Sequence, residues 1–125
     1  MENTRTIEIG GKSVTFKATA ATPRLYRGMF GRDLFVDLTR LLQASNTKKM
    51  DVSVLELFEN IAYTMARQAD PTVPDTPDQW LDGFEMFAIY DILPVILDLW
   101  NANSTSLDAK KKNPPDNPES QPLNS

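Results

Sequence analysis

The sequence predicts an α+β chain, mainly α, in which an N-terminal β-hairpin is followed by about four helices and a disordered, polar C-terminal tail. Three observations carry this. Thr6 to Ile9 and Ser13 to Ala18 alternate apolar and polar residues around Gly10-Gly11-Lys12. From residue 22 onward the apolar residues recur three and four positions apart. After Ser104 little apolar content remains beyond Leu107 and Leu123, among Pro, Asn, Ser and Lys. The expected division is one hairpin-plus-helix domain over residues 1–103 and a polar tail over 104–125, with no internal repeat.

The glycines at 10 and 11 supply the positive φ of a tight turn, and the hairpin then presents Ile7, Ile9, Val14 and Phe16 on one face. Two strands alone are marginal in water, so this face must lie on helices or on another subunit's sheet. Thr22-Pro23 starts the first helix, with Thr22 as cap and Pro23 at the first helical position, and places Leu25, Met29 and Phe30 on one side. Gly31 ends or kinks it. A second helix begins near Arg32-Asp33 and carries Leu34, Leu38, Leu41 and Leu42, and the polar stretch from Ala44 to Met50 reads as a loop.

Ser53 and Glu56 have capping-box spacing ahead of the stripe Val54, Leu57, Phe58, Ile61, Ala62, Met65, Ala69, which predicts a helix of about four turns. Pro71, Pro74 and Pro77 end it, and Thr76-Pro77-Asp78-Gln79 repeats a start signal. From Trp80 to Asn103 the chain is apolar on two sides. One stripe holds Phe84, Phe87, Ala88, Ile92, Val95, Ile96 and Leu99; the other holds Met86, Ile89, Tyr90, Leu93, Leu97 and Trp100. Glu85, Asp91 and Asp98 are left for water. A helix so widely apolar is central in its domain or shared with a partner, and Pro94 should kink or divide it.

The chain has no cysteine and no histidine. It therefore lacks thiolate nucleophiles, disulfides, imidazole acid/base groups and the usual ligands for zinc, copper or haem, and we expect neither an enzyme nor a bound cofactor or metal. Met1 to Thr6 carry no apolar signal region, and no apolar run nears the roughly 20 residues that cross a bilayer. A cytosolic protein without a membrane partner is expected. The carboxylates Asp75, Asp78, Asp82 and Glu85 are not spaced as a calcium loop and suit helix starts through the macrodipole. Asp33 and Asp37, flanked by Arg32 and Arg40, read as a solvated helix face with local ion pairs rather than an acid/base pair. Gly28 and Gly31 fit no phosphate-binding fingerprint.

The formal net charge of −4 hides an asymmetry. Residues 1–50 hold nine basic against four acidic side chains, whereas residues 51–109 hold Arg67 against eleven acids. Either the halves neutralise each other within one fold, or they are complementary faces for head-to-tail self-association, with Arg24, Arg27 and Arg32 on the basic side. The same arginines, with Tyr26 and Phe30 nearby, are also the residues that would contact nucleic acid, which the acidic remainder opposes. The aromatic residues Trp80, Phe84, Phe87, Tyr90 and Trp100 are candidates for a partner-binding surface and equally for the core, because a domain of about 100 residues has limited room inside.

The order of these features resembles the tail assembly chaperones of long-tailed bacteriophages and prophages of Gram-positive bacteria. The resemblance runs over about residues 6 to 112. After the hairpin it rests on Tyr26-Arg27-Gly28-Met29-Phe30-Gly31-Arg32-Asp33-Leu34-Phe35, then Ile61-Ala62-Tyr63 with Met65-Ala66, Trp80-Leu81-Asp82-Gly83-Phe84, and Leu99-Trp100 before a lysine-bearing tail. It implies a non-enzymatic factor of the host cytoplasm, not expected in the mature virion. Such a factor coats the helical, aggregation-prone tape measure protein until tube subunits displace it. It also implies a longer product of programmed ribosomal frameshifting as a further partner, and Lys110-Lys111-Lys112-Asn113 is where an A-rich slippery run would be encoded.

Overall fold

The computed structural model describes residues 3–101; the expected tail and the end of the last expected helix at Asn103 lie outside the described residues. Strands β1 (Thr4–Ile9) and β2 (Lys12–Lys17) pair antiparallel, from Thr4 opposite Lys17 to Ile9 opposite Lys12. Gly10 and Gly11 both have positive φ, 56° and 84°, which is the two-residue turn whose twist matches the strands. This register puts Ile7, Ile9, Val14 and Phe16 on one face, with Ile9 and Phe16 buried. On the other face Thr6 and Thr15 share a hydrogen bond and the Ser13 hydroxyl donates to Glu8. The buried face lies on helices of the same chain.

Helices α1 (Thr22–Phe30), α2 (Leu34–Thr47), α3 (Val52–Ala69) and α4 (Pro77–Leu81) follow, then a 3-10 turn at Ala88–Ile92 that leads directly into α5 over residues 93–101. The fold is thus α+β and mainly α, as the sequence predicts. Helix α3 is the central element, packing on β2, α1, α2 and α4. Its stripe of Val54, Leu57, Phe58, Ile61, Ala62 and Met65 is buried, and Tyr63, Thr64 and Ala66 are buried as well, so for more than one turn it is enclosed on all sides. Each large apolar side chain so enclosed contributes about 1.5–3 kcal/mol. The hairpin lies between α3, against β2, and the 3-10 turn, against β1.

Several boundaries differ from expectation for identifiable reasons. Thr22 does not cap α1; Ala21 occupies that position without a side-chain bond. The Thr22 hydroxyl instead accepts from the Thr19 N–H and donates to Gln68 on α3, whose amide returns a bond to Thr19. On α1 the inward side chain is Tyr26, while Leu25 and Met29 are exposed. Gly31 ends the helix in the left-handed conformation, its N–H on the Arg27 carbonyl. Helix α2, capped by Asp33, runs through Ala44 to Thr47, where a loop was expected; the Thr47 hydroxyl bonds back to the Gln43 carbonyl and Lys48 closes the helix at positive φ. Asp51, not Ser53, caps α3: its carboxylate accepts from the Val54 N–H and the Ser53 hydroxyl.

The expected long helix from Trp80 is divided twice. Thr76 caps α4 as the sequence suggests, but the chain leaves the helix after Leu81. There Lys12 Nζ, at the hairpin turn, donates to the Gly83 carbonyl at 2.7 Å, the group a continuing helix would offer to the Phe87 N–H. The second division is at Pro94. Without an N–H it makes no α-type bond to the Tyr90 carbonyl, which is taken in a 3-10 bond by the Leu93 N–H.

Candidate protein-binding site

The five aromatic residues singled out by sequence separate into distinct environments. Trp80 is core: it is 5% exposed and meets Phe16, Tyr63 and Phe84 edge-on. Phe84 is half-buried against it, with Lys12 Nζ 5.5 Å above its ring. Phe87 and Tyr90 stand in water at 72% and 41% exposure with ring centres 6.3 Å apart, and Met86 beside them is 80% exposed. Trp100 is half-buried elsewhere, on α5, and packs on Phe35 of α2 at 5.6 Å.

That last pair belongs to an open groove of about 670 Å³ where the β2–α1 connection, α1, α2, α3 and α5 meet. The buried side chains Ala18, Leu34, Leu38 and Met65 form its floor. Pro23, Phe35 and Trp100 form its sides, and exposed Arg24 and Arg27 stand at its rim. Local sequence explains the arrangement. Leu34 and Leu38 are one turn apart and point to the core, so Phe35 lies just off that stripe and remains 51% exposed. Arg24 and Arg27 are three apart and share one side of α1. Neither makes an ion pair among the described residues.

Arg32 does not join them. Its guanidinium forms two hydrogen bonds to Asp37, Nε to Oδ2 at 2.7 Å and Nη2 to Oδ1 at 2.8 Å. The Tyr26 hydroxyl donates to the same Oδ2 at 2.7 Å. Asp37 is 1% exposed, so the solvated helix face expected for it is corrected: a paired carboxylate is accepted inside because both of its oxygens are hydrogen-bonded, one of them to a guanidinium and a hydroxyl together. Arg32 holds the Asp37 carboxyl below its usual range, against the opposing effect of burial, and the Tyr26 hydrogen bond adds to the lowering. Burial, followed by the bond to Asp37, pushes the Tyr26 hydroxyl well above the ordinary tyrosine value. Tyr26 is therefore unavailable to stack on a base, and the arginine cluster that sequence suggested for self-association or nucleic acid is reduced to Arg24 and Arg27.

The acidic half is sparsely neutralised. Among the described residues the sole ion pair joining the two halves is Arg5–Asp98 at 3.7 Å, both partners exposed. Arg67 is committed within its own half to Asp75 and to the carbonyls of Val73 and Pro74, which fixes the proline-rich turn. No group of three or more acidic side chains among the described residues is placed to hold a metal ion, and no helix there is long and apolar enough to cross a membrane.

Sequence reasoning missed Phe35 and Met86 as exposed apolar residues and the floor of the groove entirely. The available signal was an aromatic residue adjacent to, rather than on, the Leu34–Leu38 stripe. No protein-family profile, curated protein or solved structure matches the chain.

Proposed function

We propose that the chain is a non-enzymatic tail assembly chaperone of the long-tailed bacteriophage type. It works in the host cytoplasm by binding an apolar helical stretch of the tape measure protein and releasing it as the tail tube assembles. The observation that supports this best is the groove of Phe35, Trp100, Leu34 and Leu38 with Arg24 and Arg27 at its rim. Its apolar floor suits the buried stripe of an amphipathic helix, and its arginines suit acidic residues at that helix's edges. Trp and Arg are the side chains most often found to anchor such contacts. An open groove of this size is also compatible with reversible binding, which a chaperone displaced by tube subunits requires.

The direct test is co-expression with the long helical protein encoded nearby, followed by size-exclusion chromatography with light scattering. The proposal expects that protein to become soluble and to elute with many copies of this chain. Insolubility of the long protein, with this chain eluting alone and the frameshifted longer form giving no improvement, would contradict it.

A further inference from the structure

We infer that the free edge of β2 is a second binding site, which takes an extended segment of another protein as a third strand. It lies apart from the groove and stands whether or not the groove holds a client. The register of the hairpin decides which main-chain groups are free. The Ala18 N–H donates to the Asn3 carbonyl at 2.8 Å, and along an antiparallel ladder hydrogen-bonded pairs alternate with unbonded ones. Counting back from Ala18, the residues Phe16, Val14 and Lys12 direct their main-chain groups to β1, while Ser13 and Thr15 direct theirs outward. Among the described residues nothing bonds the N–H or the carbonyl of either; their hydroxyls are the groups engaged, with Glu8 and Thr6. A row of free main-chain donors and acceptors is matched by another extended main chain, whereas a helix spends its own groups internally.

This edge borders a cleft of about 450 Å³ that residues of β2 line and residues of β1 do not. Asp70 at the end of α3, Val73 and Pro74 in the proline-rich turn and Gln79 of α4 form its other walls, which leave room for one chain beside β2. The hairpin of a second copy would bring its own helices against those walls. Alternate side chains of an added strand point to opposite faces of the sheet, so the residue opposite Val14 enters on Val14's side, where Trp80 and Phe84 offer apolar surface. Charge specifies its neighbours. Lys12 and Asp70 line the cleft, and neither has an ion-pair partner among the described residues. Lys12 lies at the Gly83 end of β2, and Gln68, two residues before Asp70, reaches Thr19 and Thr22 past the opposite end. A strand added antiparallel, the more stable pairing, therefore carries a basic, an apolar and an acidic residue in that order at alternate positions.

The test needs no client. The probe is the capped peptide Thr-Lys-Thr-Val-Thr-Glu-Thr, titrated into the full chain and followed by amide NMR signals. Binding should move the Ser13 and Thr15 amide signals and slow their hydrogen exchange. The same peptide methylated at its main-chain nitrogens keeps every side chain and loses its donors, and should bind at least about tenfold more weakly. Thr15→Pro removes one outward N–H while the bonds between β1 and β2 remain, and should weaken the unmethylated peptide by at least about as much, with circular dichroism checking the fold. Phe35→Glu, in the groove, should bind the peptide as the parent chain does, which separates this site from the client site. The inference is overturned if the peptide does not bind, if its methylated form binds equally well, or if a folded Thr15→Pro chain binds as the parent does. A dimer of the parent chain that Thr15→Pro abolishes would overturn it too, by showing that the occupant of the edge is a second copy.

Discussion

The corner where α1 meets α2 and the stretch from Asp82 to Ile92 are made of similar material, aromatic side chains next to carboxylates, and the fold treats them in opposite ways. At the corner Tyr26 is fully buried and Asp37 nearly so, because Arg32 and the Tyr26 hydroxyl use both carboxylate oxygens. In the later stretch neither Glu85 nor Asp91 makes an ion pair among the described residues. Unpaired carboxylates must stay hydrated, and the chain that carries them keeps Met86, Phe87 and Tyr90 at the surface with them. At the corner ring and carboxylate are buried together as one hydrogen-bonded set, whereas in the later stretch both stay at the surface. The corner is therefore a structural joint, and the stretch is available for binding.

The sharpest way to break this contrast is at Tyr26. Tyr26→Ala removes a fully buried ring and one of the Asp37 bonds, and should cost about 3–5 kcal/mol in urea denaturation. Asp37→Ala comes next, at about 2–3 kcal/mol: it leaves the buried Tyr26 hydroxyl unsatisfied while the half-exposed Arg32 turns to water. The loss should depend on pH in one direction. The folded Asp37 carboxyl titrates below its unfolded value, so its contribution is fully present above about pH 4 and is lost as pH falls through the folded value. Denaturation midpoints of the parent chain and Asp37→Ala should accordingly converge in acid. The smallest effect belongs to the other region, where Phe87→Ala should change stability by within about 0.5 kcal/mol. A large loss at Phe87 would mean that the stretch is part of the core after all.

Features set by neighbouring residues were legible in the sequence. Gly10-Gly11 fixed the hairpin register, the stripe from Val54 to Met65 marked the central helix, and Thr76-Pro77 marked the start of α4. Features set by distant residues were not. Thr22 left its capping role for Gln68, 46 residues away, and the Gly83 carbonyl beyond the end of α4 accepts from Lys12, 71 residues before it. The local Arg32–Asp37 pair was legible, but the burial of Asp37 was not, since it comes with the Tyr26 hydroxyl of the preceding helix. The groove was the least legible feature, because five segments of the chain supply its lining and none of them reads as a site alone.

The most direct measurement of the central claim is the co-expression repeated with two variants at exposed aromatic residues, Phe35→Glu in the groove and Phe87→Glu away from it. If the groove holds the client, Phe35→Glu should leave the long helical protein insoluble while Phe87→Glu, outside the groove, still carries it into solution as the parent chain does. If Phe35→Glu solubilises the client as the parent does, the groove is not the binding site.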